Sequence, residues 1–173
     1  INNLIMKMYL TEDFMITDAG EKLFEENKVK NAIVLAAGYG MRMAPINNEI
    51  PKALLNIKGE VLIERIIQQL HERQIYDIDI VVGFMKEKFE YLIDKFGVNL
   101  IVNSEYDRKN NLSSLYLDNS KISNTYIIPG DIWFRTNPFR NSEFYSWYMV
   151  SNELKNNQYY KASKTGKLML TQN

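Results

Sequence analysis

Apolar residues in this chain follow two rhythms. Short unbroken runs, NAIVLAAG (31–38), DIDIVVG (77–83), VNLIVN (98–103) and TYIIPGDIWF (125–134), have the form of strands, and the first that of a strand buried on both faces. Between them the spacing becomes helical. VLIERIIQQLHERQ places Leu62, Ile63, Ile66, Ile67 and Leu70 on one face. KEKFEYLIDKFG places Phe89, Leu92, Ile93 and Phe96 at i, i+3, i+4 and i+7, with Gly97 closing the helix. NNLSSLYLDNSKI predicts a further short helix, and ALLNIKGEVLI a tight turn at Lys58-Gly59. Strands alternating with helices predict parallel βαβ units, an α/β fold with helices on both faces. Beyond Asn141, SWYMVSNE and YYKASKTGKLML predict additional antiparallel strands, so the sheet is expected to be mixed but mostly parallel.

Residues 1–29 follow a different pattern. The pieces KMYL and FMIT, joined by Thr11-Glu12-Asp13, predict a small hairpin. In TDAGEKLFEEN, Asp18 can cap a helix with Glu21 three residues on, turning Ala19, Leu23 and Phe24 inward. The hairpin followed by this helix resembles the end of a winged-helix module over about 25 residues; an ordinary extension packed on the main domain explains the pattern equally well. The expected division is therefore 1–29, a winged-helix-like remnant or extension, and 30–173, one α/β domain. The chain begins with Ile1, so a start further upstream is expected.

Composition narrows the classes of function. Lysine plus arginine and aspartate plus glutamate both number 21, which argues against a dedicated nucleic-acid binder. Without cysteine there is no disulfide or thiolate metal site, and a cytoplasmic protein is the default. No apolar run reaches the ~18 residues of a membrane span. The one histidine, His71, falls on the polar side of its helix and is expected at the surface; no Ser-His-Asp set or histidine metal cluster is available.

In an open α/β sheet, ligands bind at the carboxyl ends of the strands. The loops after IVLAAG, IVVG, LIVN and IIPGD therefore belong around one crevice. The first of them, LAAGYGMRMAP (35–45), fails both common phosphate-loop patterns: Met43 stands where G-x-G-x-x-G needs its third glycine, and G-K-[ST] is absent. Gly38 and Gly40 still allow close backbone approach to an anion. Arg42 can fork onto phosphate, and Lys52 of Pro51-Lys52 adds a compact charge. Two cations and a row of amides suit a triphosphate. Asp131 ends a buried strand, where a carboxylate needs a partner.

At this point the chain resembles a family. LAAGYGMRMAP followed by PKALL is similar to the signature L-A-A-G-x-G-x-R-[LM]-x-P-x(5)-P-K-[AP]-L of nucleotidyltransferases that act on small phosphate esters. The segments LIERIIQQLHERQIYDIDIVVGF, FEYLIDKFGVNLIVNSEYDRKNNLSSLYL and TYIIPGDIWF resemble the bacterial CTP:phosphocholine cytidylyltransferases, from about Val29 to Phe139. The resemblance implies a Rossmann-like nucleotidyltransferase fold and transfer of CMP from CTP to phosphocholine, with Mg²⁺ as cofactor. It implies that the backbone of Leu35, Ala36, Ala37, Gly38 and Gly40 wraps the nucleotide. Arg42 would bind the β- and γ-phosphates, Lys52 the α-phosphate, and Asp131 the Mg²⁺. Asn110, Asn111 and Ser114 would contact the cytidine, with Gly83 letting the base approach. A second metal-binding acid is usual much later in such chains and has no assigned position here.

Tyr106, Trp133, Trp147 and Tyr148 are candidates for the acceptor pocket, since aromatic faces bind a quaternary ammonium. With 2 Trp, 11 Tyr and 8 Phe in the chain, each is also a candidate for the core. Two alternatives remain open at this level: a sugar-1-phosphate nucleotidyltransferase using UTP or dTTP, and a ligand-sensing regulator whose winged helix binds DNA.

Overall fold

In the computed structural model, residues 1–38, 49–108, 111–149, 160–162 and 168–170 are described, the last two segments and residues 111–112 by their backbone alone. They fall into two units, Ile1–Glu143 and Phe144–Asn173, each described by itself.

The four predicted runs become β1 (Asn31–Ala36), β4 (Ile78–Val82), β5 (Asn99–Val102) and β6 (Thr125–Pro129). They form one parallel sheet in the order β5-β4-β1-β6. β1 lies in the interior, pairing Ala32 with Ile78 on one side and with Tyr126 on the other. The hairpin of β2 (Asn56–Ile57) and β3 (Glu60–Val61) leads into α3 (Leu62–His71). Lys58 and Gly59, both at positive φ (56° and 89°), make its tight turn.

Successive residues of each strand face opposite sides. Ala32, Val34, Ala36, Ile78, Ile80, Val82 and Ile128 pack with Ile63, Ile66, Ile67 and Leu70 of α3 and with Phe89 and Leu92. Each of the fully buried side chains contributes roughly 1.5–3 kcal/mol. Ile33, Ala37 and Val81 face the other way, meeting Leu35, Ile101, Tyr106 and Leu115 of α5 (Asn111–Tyr116). Helices on both faces are thus observed.

Three local expectations change. The single helix predicted over 86–97 is a 3-10 turn, Lys86–Phe89, followed by α4 (Tyr91–Phe96). The shift in phase keeps Phe89 and Leu92 inside but leaves Ile93 45% exposed. His71 is not an open surface residue. Its ring lies 5.0 Å from Tyr76 and 6.2 Å from Phe96, its Nε2 is buried without a hydrogen bond, and burial holds its pKa below the ordinary value. Residues 146–149 form no strand, although β7 (Tyr160–Ala162) and β8 (Leu168–Leu170) pair antiparallel as predicted.

The N-terminal stretch begins with α1 (Asn2–Met6) and then reverses direction through one antiparallel bridge, Leu10 to Ile16. α2 (Asp18–Glu26) follows. Its cap is Thr17 rather than Asp18, with Thr17 Oγ1 accepting from Gly20 N at 3.1 Å. Gly20 is the residue buried: a Cβ there would stand 2.4 Å from the Tyr9 carbonyl oxygen. Of the three side chains expected inside, Leu23 is half-buried while Ala19 and Phe24 are exposed.

The α5 side of the sheet carries a buried polar cluster. Asp79, on the α5 face of β4, accepts from Asn99 Nδ2 (2.9 Å) and Lys121 Nζ (2.5 Å). Lys121 also pairs with Asp77 at 3.6 Å. Asp118 is 5% exposed, lies next to Asp79, and its Oδ2 is buried without a hydrogen-bond partner among the described residues. Burial, then the bond to and charge of Asp79, push its carboxyl up to about 6, with Lys121 opposing. A native pKa above the unfolded value means the folded protein binds the extra proton, so this contribution to stability is lost as pH rises from about 4 to 6. His71 acts in the opposite sense, so the variant must be compared with the wild type at each pH. Asp118→Asn, able to donate to Asp79 at every pH, should raise the Tm at pH 7.5 and leave it nearly unchanged at pH 4. Equal effects at both pH values in thermal unfolding would refute this account.

Candidate functional site

The chain leaves β1 for β4 and β5 on one side, then crosses back to β6 on the other. The carboxyl ends of β1 and β6 therefore flank the point where the strand order reverses. Small residues close this junction. Gly130 N donates to the Leu35 carbonyl at 2.9 Å. A Cβ on Gly130 would meet Ala36 Cβ and Ala53 Cβ, each at 3.2 Å. Ala53 belongs to the one-turn 3-10 helix Lys52–Leu54 and is buried. Its neighbour Lys52 and the next residue after Gly130, Asp131, are consequently brought together, with Lys52 Nζ 3.8 Å from Asp131 Oδ2. Both side chains remain partly open to solvent, at 26% and 48%. At this distance the two charges attract without a hydrogen bond, leaving each able to take another partner.

On the β1 side, Ala36 and Ala37 are buried and Gly38 is exposed with open space around it. Gly40 and Arg42 lie outside the described residues, as do Asn110 and the side chain of Asn111, whose backbone opens α5.

Two expected contacts take a different form. Gly83 was expected to make room for a base. Its open side is filled by Tyr106, whose Cβ and Cγ would stand 2.6 and 2.7 Å from an added Cβ. The Tyr106 ring packs into the smaller core cluster, 6.5 Å from that of Phe84. Ser114, expected to face the cytidine, is 3% exposed, and its Oγ accepts from Asn103 Nδ2 at 2.9 Å.

Asn103 was not singled out from the sequence. It closes the run LIVN, and a polar residue ending a buried strand was the available signal. Its N–H donates to the Val82 carbonyl (2.8 Å), and its Oδ1 accepts from Glu105 N (2.9 Å). Through these bonds and the one to Ser114, it ties the end of β4, the following turn and α5 together.

Trp133 lies two residues past Asp131. Lys58 Nζ and Arg65 Cζ stand 4.6 and 4.8 Å from its ring centroid. Arg65 is fixed in place. It donates from Nη1 to both Glu60 oxygens (2.8 and 2.7 Å), from Nε to the Phe134 carbonyl (2.7 Å) and from Nη2 to the Arg135 carbonyl (3.0 Å). Trp147 and Tyr148 are exposed residues of the second unit. Among the described residues no group of three or more His, Cys, Asp or Glu could hold a metal by itself. No described helix is long and apolar enough to cross a membrane.

Comparison with known proteins places this geometry. The family model of the MobA-like NTP transferase domain matches residues 32–139. A choline-phosphate cytidylyltransferase of Streptococcus pneumoniae is 44% identical over 117 residues, covering 68% of this chain and 51% of that protein. A 2-aminoethylphosphonate cytidylyltransferase of Lancefieldella rimae is 41% identical over 105 residues, covering 59% and 43%. The solved CTP:phosphocholine cytidylyltransferase from Streptococcus pneumoniae superposes with a TM-score of 0.64 at 46% identity, over 66% of this chain and 50% of that one. The inositol-1-phosphate CTP transferase from T. maritima, at TM-score 0.51 and 21% identity, shares the fold. The chain spans about half the length of the curated relatives it matches.

Removing the Asn103 side chain removes its bonds to the Ser114 hydroxyl and the Glu105 amide. Asn103→Ala should therefore cost about 1–3 kcal/mol in denaturant unfolding. A loss below ~0.5 kcal/mol would show that the buried network is dispensable.

Proposed function

The chain belongs to the MobA-like NTP transferase domain family, and from that premise we propose that it transfers CMP from CTP to phosphocholine, giving CDP-choline and pyrophosphate. The observation that carries this reading is the meeting of Lys52 and Asp131 at the strand-order reversal, 3.8 Å apart, beside the backbone of Ala36–Gly38. The choice of CTP and phosphocholine is supported by the likeness to the choline-phosphate cytidylyltransferase of Streptococcus pneumoniae.

In this reading a phosphate oxygen of phosphocholine attacks the α-phosphorus of CTP in line. The new P–O bond forms as the bond to the β-phosphate bridging oxygen breaks, and that oxygen carries the electron pair away with pyrophosphate. The nucleophile is already an anion, so no general base is required. The protein's work is positioning and charge neutralisation. Lys52 exchanges its loose pairing with Asp131 for the α-phosphate oxygens. Arg42 takes the β- and γ-phosphates, and Leu35 to Gly38 with Gly40 line the nucleotide. Asn110 and Asn111 read the base, while Ser114 acts from inside by holding α5. Trp133 offers aromatic surface to the acceptor's ammonium.

Asp131 would hold Mg²⁺. A lone, half-exposed carboxylate suits a hard cation that takes its remaining ligands from phosphates and water. When bound, the ion supplies charge neutralisation on the triphosphate.

Pyrophosphate release by the full chain, assayed with CTP, UTP and dTTP against phosphocholine and glucose-1-phosphate, tests the substrate assignment. Turnover with sugar phosphates alone would overturn it. Lys52→Ala should lower kcat by about 10²–10³-fold with little change in Tm, and near-normal turnover in that variant would remove Lys52 from the α-phosphate.

A further inference from the structure

The two cations on Trp133 are not equivalent. Arg65 is held by four hydrogen bonds and is part of the wall. Lys58 is exposed and has no carboxylate within ion-pairing distance among the described residues; its contact is with the ring, 4.6 Å from the centroid. Its backbone gives a second, independent reason to look at it. Lys58 occupies a left-handed position (φ 56°) in a two-residue turn, where glycine or asparagine is favoured and a lysine costs about 1 kcal/mol. The turn is otherwise conventional, with Gly59 N donating to Asn56 Oδ1 at 2.9 Å. A residue unsuited to the backbone and lacking an ion-pair partner places its ammonium on the one tryptophan beside Asp131.

We infer that Lys58 is a built-in occupant of the cation subsite on Trp133, which an incoming quaternary ammonium must displace. This rests on the acceptor carrying an ammonium head, as proposed above. The exchange favours a trimethylammonium group, which is weakly hydrated and gains from the ring, over the strongly hydrated lysine ammonium. A neutral sugar has no charge with which to replace it. Lys58 thus lowers affinity for every acceptor but least for a quaternary ammonium, and acts as a specificity determinant from the hairpin. An exposed cation–π contact of this kind is worth roughly two- to fivefold in binding.

Two measurements test this in the full chain. With Trp147→Phe, tryptophan fluorescence reports Trp133 alone, because the chain has 2 Trp. Titration with tetramethylammonium chloride at constant ionic strength should show roughly two- to fivefold tighter binding in Lys58→Asn, which suits the turn, and wild-type affinity in Lys58→Arg, which keeps the cation. In turnover, which needs no tryptophan replacement, Lys58→Asn should lower the KM for phosphocholine by the same factor and leave that for CTP in place. Equal or weaker tetramethylammonium binding in Lys58→Asn, or no binding in either protein, overturns the inference. Failure of wild type to use phosphocholine overturns the acceptor assignment instead, and the fluorescence titration still reads Lys58.

Discussion

The site depends on a contact between atoms too small to leave space. Where β1 and β6 end, a methyl group added at Gly130 would stand 3.2 Å from both Ala36 Cβ and Ala53 Cβ, tighter than ordinary packing, and Gly130 N bonds the Leu35 carbonyl. Interiors at this density behave as rigid bodies. The 3-10 turn that carries Lys52 is therefore fixed against the strand end that carries Asp131.

The two faces of the sheet divide the work. The face under α3 and α4 is continuous aliphatic packing and supplies most of the stability. The α5 face is thinner and laced with polar side chains, among them Asp79, Asn99, Asn103, Ser114, Asp118 and Lys121. Hydrogen bonds have geometric requirements that apolar contacts lack. A segment that must present side chains to a ligand is held here by directional bonds, with a carboxyl pair, Asp79 and Asp118, at its far end.

Lys52 and Lys58 have resting partners that hold them lightly. Lys52 faces Asp131 beyond hydrogen-bond distance, and Lys58 faces a ring. Neither contact is strong in the presence of solvent. Such pairings keep a charge near where it is to act without committing it, whereas Arg65, with four hydrogen bonds, is a structural element.

Strand and helix placement was legible in the sequence, because strands of a parallel sheet read as unbroken apolar runs and a helix buried on one face imposes a period of 3.6. The runs around Val34, Ile80, Leu100 and Ile128, the helix over 62–71 and the crevice at the strand ends follow from that periodicity alone. That Asp131, ending a buried strand, needs a partner was legible too; that Lys52 stands 3.8 Å from it was not. What periodicity cannot carry is distance between segments far apart in the chain. That Tyr106 rather than a ligand fills the space over Gly83, that Ser114 turns inward to Asn103, that His71 lies between Tyr76 and Phe96, and that Lys58 covers Trp133 were decided by the tertiary structure. In each case the deciding quantity is the volume or hydrogen-bond direction left over once other segments have packed, and no local pattern contains it.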